Sequence, residues 1–385
     1  MSNFGIVCEF NPLHNGHEYL IKLSRELGAS NVCCIMSGNL TQRGEFSIVD
    51  KYSRAEAAIK GGADLVLELP YPWSGASAEY FATAAVKIAS SYCDKLIFGS
   101  ECGDIDLLKR AAEICNDEEF LNEYLQRTTN GEGAAFAFVS CLDSRGISGF
   151  NSNDILGVAY IRAINRLKLD IEPITVKRQG SAYNCSEIND NMFQSATAIR
   201  KSIVSGCEVE NHIPKYMNEI IKREAQCGMI TSIKNAEKAV LGYFRMANIG
   251  DFDNIADAGG GIGNRLIRAS RESVTYEDML DYTKTKRYTD AKLRRAIMFC
   301  MTGVTSDDIR SLPAFTNLLG ASCSGRRLLS EKRKHNGIKV IAKSADAPDC
   351  RQKELSSKLD CIFALATDKP LKSDYFFKKR AYIEK

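Results

Sequence analysis

The segment GIVCEFNPLHNGHEYL, residues 5–20, constrains the fold of this chain more than any other stretch. Residues 4–8 form a short apolar run, which is typical of a buried parallel strand. Pro12 ends that strand, and Asn15 and Gly16 provide turn chemistry and a helix N-cap. A helical pattern of apolar residues follows. The sequence therefore begins with a predicted strand, turn and helix.

His14 and His17 flank the first turn of that predicted helix. Free backbone N–H groups and the positive end of the helix dipole suit phosphate, and two imidazoles add donors there. Gly16 leaves room between them for a close ligand. The chain contains only four histidines, and two of them stand in this tetrapeptide. We therefore interpret the turn as a phosphate site rather than as an ordinary surface turn.

Strand and helix patterns alternate over the first hundred residues and predict a doubly wound parallel sheet of the Rossmann-like α/β class. Ligands of such sheets bind outside the carboxyl ends of the strands. The histidine turn, the loop 37–45 and Gly99 all follow predicted strands, so we expect them to line one crevice. The predicted strands are 4–8, 31–36, 64–69, 95–98 and 171–176, with helices at 50–59, 76–90 and 158–167.

The two halves of the chain differ in charge. Residues 1–210 contain 19 basic and 27 acidic residues, a net charge of −8, and residues 211–385 contain 32 and 21, a net charge of +11. An excess of cations on one part of a protein favours contact with a polyanion, although solvated surface lysines and arginines explain the charge equally well. Helical patterns dominate the distal half.

Composition predicts a globular protein without a membrane segment. No apolar run reaches 18 residues, and the N-terminus has no basic region before its first strand, so we expect neither a membrane span nor a signal peptide. The 14 cysteines are scattered, several of them inside apolar runs, and they form no zinc pattern. They are typical of reduced thiols in a cytoplasmic protein, and no metal site is predicted.

His14-Asn15-Gly16-His17 is the H-x-G-H signature of the nucleotidyltransferase superfamily, and the wider string CEFNPLHNGHEYL resembles the tRNA(Met) cytidine acetate ligase family. The resemblance implies an ATP-dependent ligase that activates acetate as acetyl-adenylate. The acetyl group then passes to the exocyclic amine of the wobble cytidine of elongator tRNA(Met), which gives N4-acetylcytidine, AMP and diphosphate. ATP is the implied substrate, and we expect Mg²⁺ with its polyphosphate.

The resemblance also implies the residues of the ATP site. His14 and His17 are the implied catalytic residues. Asn153, Arg178 and the string Ser195-Ala196-Thr197-Ala198-Ile199-Arg200 match further motifs of the family. The implied ATP-binding residues are Val7, Cys8, Glu9, Phe10, Asn11, Pro12, Leu13, His14, Asn15, Gly16, His17, Glu18, Tyr19, Leu20, Gly99, Asn153, Arg178, Ser195, Thr197 and Arg200.

Three of these residues also have a purely structural interpretation. Asn153 and Ser195 each stand where a helix N-cap is predicted, and Arg178 ends the strand 171–176, where a charge can simply face solvent. The chain departs from the family pattern at Ser152, where a proline is usual, and at Asn184, where a histidine is usual. We therefore assign no catalytic role to Asn184.

The distal half contains a basic segment with an interleaved tyrosine, KTKRYT, residues 284–289. Cations that contact phosphates and a ring that stacks on a base suit RNA. The resemblance assigns tRNA binding to the distal half. We therefore predict a catalytic domain, 1–205, and a mainly helical, basic tRNA-binding domain, 206–385, with these tRNA-binding residues: Lys284, Lys286, Arg287, Lys292, Arg294 and Arg295.

Two other functions remain open from the residues alone. One is a small-molecule adenylyltransferase, although such enzymes lack a basic helical half. The other is a non-enzymatic RNA-binding protein on a nucleotidyltransferase fold, although both histidines and Arg200 are present. An aminoacyl-tRNA synthetase is disfavoured because no K-M-S-K-S type loop occurs. The oligomeric state is not specified by the sequence.

Overall fold

The computed structural model describes residues 2–178, 196–285, 287–332 and 337–384. The strands are β1 (Ser2–Cys8), β2 (Ala29–Ser37), β3 (Leu65–Leu69), β4 (Lys95–Ser100), β5 (Glu172–Lys177), β6 (Phe315–Ala321), β7 (Lys339–Ile341) and β8 (Tyr382–Ile383). The helices of the first half are α1 (Asn15–Glu26), α2 (Lys51–Lys60), α3 (Ala78–Ala89), α4 (Ile105–Ile114), α5 (Glu118–Thr129), α6 (Ala134–Asp143), α7 (Ser152–Leu167) and α8 (Ala196–Val204). Those of the second half are α9 (Lys215–Gln226), α10 (Ile233–Met246), α11 (Ile262–Glu272), α12 (Tyr276–Thr283), α13 (Asp290–Thr302), α14 (Ser306–Arg310), α15 (Cys323–Lys332), α16 (Arg351–Leu365) and α17 (Tyr375–Lys378).

The predicted doubly wound parallel sheet is confirmed. Its order is β5-β4-β1-β2-β3-β6-β7, with β8 paired to β6, and the five strands β1 to β5 are parallel. The chain moves outward from β1 to β3 and then returns to the other side of β1 for β4 and β5. This reversal places a crevice between the carboxyl ends of β1 and β4, which is where ligands of such sheets bind.

Both faces of the sheet are buried, which explains the continuous apolar runs of its strands. In β2, Cys33 and Ile35 belong to the core that α3, α4 and α7 cover. Cys34 and Met36 point to the opposite face, into the core formed with α1, α2 and α9. Successive residues of one strand therefore contribute to two separate cores, because side chains alternate across a sheet.

The helices α10 to α13 and α16 enclose a third apolar core in the distal half. Phe244, Leu266, Met279 and Phe299 are buried in it. Tyr71 from the first half also belongs to this core, and its hydroxyl bonds to Thr302 Oγ1 at 2.6 Å. The helical character predicted for the distal half is thus present, and its core is continuous with residues that follow β3.

The distal half also contributes three strands to the sheet. Strand β6 pairs antiparallel with β3, with Gly320 opposite Val66, and β7 and β8 pair with β6. The pattern of residues 338–342 indicates one further possible strand, which is present as β7, whereas β6 and β8 were not predicted. The boundary between residues 205 and 206 stays a prediction, and the sheet draws strands from both sides of it.

Candidate active site

A cleft opens at the carboxyl ends of β1, β4 and β5. The loop that follows β2 borders it through Thr41, Gln42, Arg43 and Glu45, as the sequence predicts. The predicted site residues that the structure brings together here are Val7, Cys8, Glu9, Phe10, Asn11, His14, Gly16, His17, Tyr19, Leu20, Gly99, Asn153, Arg178, Thr197 and Arg200.

Four described residues among those predicted to bind ATP do not contribute to this lining. Leu13 is fully buried, and Pro12 lies beside it in the same turn. Asn15 donates from Nδ2 to the carbonyl of Asn211, and Glu18 accepts from Lys22. Ser195 lies outside the described residues. The cleft is therefore lined by only part of the continuous segment 7–20 that the resemblance implies.

The N-cap of α1 is His14, so the prediction of Asn15 and Gly16 as caps was wrong. Nδ1 of His14 accepts from the backbone N–H of Gly16 at 3.2 Å, and Nδ1 of His17 accepts from the backbone N–H of His14 at 3.3 Å. The two rings stack with centroids 3.6 Å apart. Two imidazoles thus form a reciprocal capping box, the arrangement usually made by serine or threonine with glutamate.

The same hydrogen bonds determine the proton positions of both rings. A nitrogen that accepts from a backbone N–H carries no proton, so each neutral ring keeps its proton on Nε2. Burial, followed by the charge of Arg178, lowers the pKa of His14 to about 3. Burial and the neighbouring His14 lower the pKa of His17 well below its usual value. At neutral pH the cleft therefore contains two neutral imidazoles, each with an Nε2–H donor.

Arg178 and Arg200 contribute positive charge to the cleft, together with Arg43 and Lys177 of its lining. Arg200, on α8, donates to the carbonyl of Asn11 at 3.0 Å and to Glu45 at 2.8 Å. Arg178 follows β5, and its backbone N–H donates to the carbonyl of Ser100 at 2.9 Å. A Cβ atom at Gly99 would lie 2.9 Å from Cγ of Arg178. Glycine at position 99 therefore allows the Arg178 side chain to pass close to the end of β4.

The end of β4 and the start of α7 are joined by two carboxylates that the sequence reasoning missed. Glu101 accepts from the backbone N–H of Asn153 at 3.1 Å and from its Nδ2 at 2.5 Å. Asp154 is fully buried and accepts from the backbone N–H groups of Cys102 and Asn151 at 3.0 and 2.9 Å. The N-cap of α7 is Asn151, so Asn153 is not the cap that the sequence predicts. Glu101 instead orients Asn153 at the cleft.

The carboxylate of Glu9, the residue directly after β1, also lines the cleft. Its Oε1 accepts from the backbone N–H of Gln42 at 2.7 Å. Burial raises its pKa above the usual glutamate value, although the Gln42 bond and the charges of Arg200 and Arg43 oppose that rise. Among the described residues Glu9 forms no ion pair, which distinguishes it from Glu45 in the same lining.

Comparison with known proteins agrees with this geometry. The family model of the HIGH nucleotidyl transferases matches residues 1–375. A tRNA(Met) cytidine acetate ligase of Acetivibrio thermocellus is 35% identical over 96% of this chain and 94% of that protein. One of Clostridium perfringens is 32% identical over 97% and 98%. The chain belongs to the tRNA(Met) cytidine acetate ligase family. The predicted family is thus confirmed, and the chain is an enzyme of the ligase class.

Solved structures of this family have the same fold. Apo Thermotoga maritima TmcAL superposes with a TM-score of 0.91 at 29% identity, over 100% of this chain and 99% of that one. The same protein bound with alpha-thio ATP gives a TM-score of 0.90 at 28% identity, with the same coverage. The family's fold therefore accommodates an ATP analogue.

The predicted tRNA-binding residues of this ligase-family chain have different surroundings. Lys284 pairs with Asp281 and Asp290. Arg295 is only 8% exposed and bonds to Asp257 at 2.7 Å, so a phosphate contact would require that pair to break. Arg287 and Lys292 lie over the ring of Tyr288, at 5.7 and 5.3 Å from its centre. Arg294 pairs with Glu45 at 3.0 Å, and Lys286 lies outside the described residues.

The described residues contain neither a membrane-spanning helix nor a cluster of metal-binding side chains. Within the described ranges, no helix combines the length and the apolar character that a membrane span requires. In the same ranges, no group of three or more His, Cys, Asp or Glu side chains is arranged to hold a metal ion.

The neutral state of His14 predicts an acid-dependent loss of stability. Its folded pKa of about 3 lies below the unfolded value of roughly 6.5, so the unfolded chain binds an extra proton as pH falls below that value. His14→Asn keeps a capping oxygen and removes this titration. Between pH 7.5 and pH 5 the wild type should lose about 2 kcal/mol more free energy of unfolding than the variant. Urea denaturation at both pH values measures the difference.

Equal losses in the two proteins would show that His14 takes up its proton in the folded state. In that case the imidazole would be a cation in the cleft, and the donor geometry deduced from its Nδ1 would be wrong.

Proposed function

We propose that the protein activates acetate with ATP and acetylates N4 of the wobble cytidine of elongator tRNA(Met), giving N4-acetylcytidine, AMP and diphosphate. The observation that carries this proposal is the pair of stacked imidazoles that cap the start of α1, in a cleft that Arg178 and Arg200 border. The similarity of nearly the whole chain to tRNA(Met) cytidine acetate ligases supports the choice of substrates.

In the first step a carboxylate oxygen of acetate attacks the α-phosphorus of ATP, and the bond from that phosphorus to diphosphate breaks. Negative charge develops on the phosphate oxygens. The Nε2–H groups of His14 and His17 donate to these oxygens, with the N-terminus of α1 behind them. Arg178 and Arg200 bind the phosphates and the departing diphosphate through their guanidinium forks. Asn153, Gly99 and Thr197 complete the wall around the nucleotide.

Mg²⁺ accompanies ATP in this proposal. The polyphosphate usually carries the ion, which neutralises charge on the phosphate oxygens. Phosphate oxygens and water would supply most of its ligands, because the described residues present no cluster of metal-binding side chains. Glu9, at the end of β1, is the carboxylate of the cleft that is not engaged in an ion pair with a described residue.

In the second step N4 of the cytidine attacks the acetyl carbonyl carbon, and the bond from that carbon to the phosphate oxygen of AMP breaks. The nitrogen must also lose a proton. Glu9 is placed to accept it, since it lines the cleft and, among the described residues, only its Oε1 forms a hydrogen bond, with the backbone N–H of Gln42. A raised pKa makes a carboxylate a stronger base, which suits this role. The wobble base must leave its stack to reach the cleft.

The distal half would bind the tRNA. Its net charge of +11 favours a polyanion, and the segment 284–289 exposes Arg287 beside Tyr288. We therefore retain 206–385 as a mainly helical tRNA-binding region and 1–205 as the ATP-binding catalytic region. The proposed tRNA substrate supports a cytoplasmic location for the reaction.

The direct test of the proposed function is incubation with bulk tRNA, ATP and labelled acetate, followed by digestion to nucleosides. We expect labelled N4-acetylcytidine. His14→Ala and His17→Ala should each lower turnover by about 100-fold or more, because each removes one donor from the developing charge. Lys22→Ala, an exposed position on α1, is the control. Unchanged turnover in either histidine variant would remove its catalytic role.

Replacing Glu9 separates the two steps. Glu9→Gln keeps an oxygen for the Gln42 N–H but cannot accept a proton. We expect acetate-dependent diphosphate release to continue while acetyl transfer falls about 100-fold or more. Single-turnover assays of each step measure this, with Glu79→Gln on the surface of α3 as the control. Equal loss of both steps would indicate that Glu9 binds ATP and is not the base.

Salt dependence tests the basic segment. The double variant Arg287→Ala, Lys292→Ala should weaken tRNA binding and lower the slope of log K against log salt by about 0.7–0.9 for each phosphate that the protein no longer neutralises. A second double variant, Lys238→Ala with Arg268→Ala, removes the same charge from exposed positions on α10 and α11. If both double variants reduce affinity and slope equally, the effect is net charge and the segment makes no specific contact.

A further inference from the structure

A second cavity lies beside the active-site cleft, towards α12 and α13. It is open to solvent, and its empty space is about 1200 Å³ when the solvent at its mouth is included. Glu45, Thr197 and Arg200 line both spaces, so one layer of side chains separates them. A ligand in the second cavity would therefore lie next to whatever occupies the cleft.

The lining combines apolar and cationic side chains. Phe46, Ile48, Ile233 and Met298 form apolar walls, while Val204 stands at the opening with 57% of its surface exposed. Apolar walls of this kind suit the face of a nucleobase, which stacks on or packs against such side chains without regard to sequence.

The charges of the cavity match a nucleotide as well. Lys201 and the guanidinium groups of Arg200 and Arg294 border it. Of the two carboxylates in the lining, Glu45 is already neutralised by Arg200 and Arg294, at 2.8 and 3.0 Å. The other, Glu277, is exposed and could accept from an exocyclic amine of a base. The net charge of the rim is positive, which favours a phosphate beside the base.

The position of the cavity connects two surfaces that the proposed function requires. Helices α12 and α13 contribute Tyr276, Glu277, Arg294 and Met298 to its lining, and the basic segment 284–289 joins the same two helices. RNA whose cytidine enters the cleft can therefore also reach the cavity, which shares a wall with the cleft and is lined by the two helices that the basic segment joins.

We propose that this second cavity binds the base of the tRNA nucleotide next to the target cytidine, while the cytidine itself occupies the cleft. The inference rests on the proposed function and extends it. Two adjacent bases would leave the anticodon stack together and be held apart by the layer formed by Glu45, Thr197 and Arg200. The enzyme would then recognise a dinucleotide step rather than a single base.

Val204→Trp tests the cavity because it fills the opening from an exposed position at the end of α8. Val274→Trp is the matched control, since Val274 is 79% exposed and lines neither space. We expect Val204→Trp to weaken binding of an anticodon stem-loop about tenfold, with no change in affinity for alpha-thio ATP. The control should match the wild type in both measurements. Wild-type RNA affinity in Val204→Trp would overturn the proposal.

Abasic RNA distinguishes a bound base from a simple surface clash. Stem-loops that lack the base on the 5′ or the 3′ side of the cytidine are titrated against the wild type and Val204→Trp. One of the two should bind the wild type about tenfold less tightly, as expected when one stacking base is removed. The same RNA should show little further decrease in affinity for Val204→Trp, because the cavity is already filled.

Two outcomes of this cycle would overturn the proposal: neither abasic RNA binds the wild type more weakly, or both proteins show the same decrease in affinity. The proposed function fails in a different way, by an absence of N4-acetylcytidine when the wild type is incubated with tRNA, ATP and acetate. If the abasic-RNA titrations give either of these outcomes while acetylation is intact, only the proposed role of the second cavity is rejected.

Discussion

The active site depends on one buried guanidinium group. Arg54, on α2, is fully buried and donates to the carbonyls of Glu9, Ser37, Gly38 and Val49. Burial lowers its pKa to about 10, so it stays charged at neutral pH. These bonds join the carboxyl ends of β1 and β2, where the strand ladder no longer satisfies the carbonyls. Each acceptor left without a partner would cost about 1–3 kcal/mol, so the two loops that border the cleft are fixed together.

A second buried charge explains why the distal half belongs to the same sheet. Lys51 lies on α2, as Arg54 does. Its ammonium group pairs with Glu68 at 2.9 Å and with Asp360 of α16 at 3.2 Å. Asn317 of β6 donates to the other oxygen of Glu68. Removing either side of this network would leave a buried charge unpaired, which is costly. The distal half is therefore tied to α2 and β3 of the first half, in addition to any role in RNA binding.

The sequence predicted the features that neighbouring residues determine and missed the contacts between residues that are far apart in the chain. Apolar periodicity specified β1 to β5 closely, and the spacing of His14 and His17 specified the turn that we propose binds phosphate. The capping role of His14 was missed because imidazoles rarely replace serine or aspartate there. The pairing of Glu101 with Asn153, or of Lys51 with Asp360, has no spacing that a sequence pattern could reveal. Strand β6 includes Asn317 and Gly320, which interrupt its apolar run, so no strand signal distinguished it from a loop.

Arginine and histidine side chains differ in their electrostatic contribution to the cleft. Guanidinium groups stay protonated in proteins, so Arg178 and Arg200 can attract phosphate at any physiological pH. Their charge also disfavours a proton on His14, together with burial. The imidazoles therefore contribute directed donors without adding charge that a bound ligand would have to neutralise. Glu45 offsets part of the remaining positive charge between Arg200 and Arg294, at the wall where ATP and RNA would meet. The arginines would thus attract a phosphate and the histidines would orient it. Each of these side chains can therefore be held rigidly by its own backbone contacts.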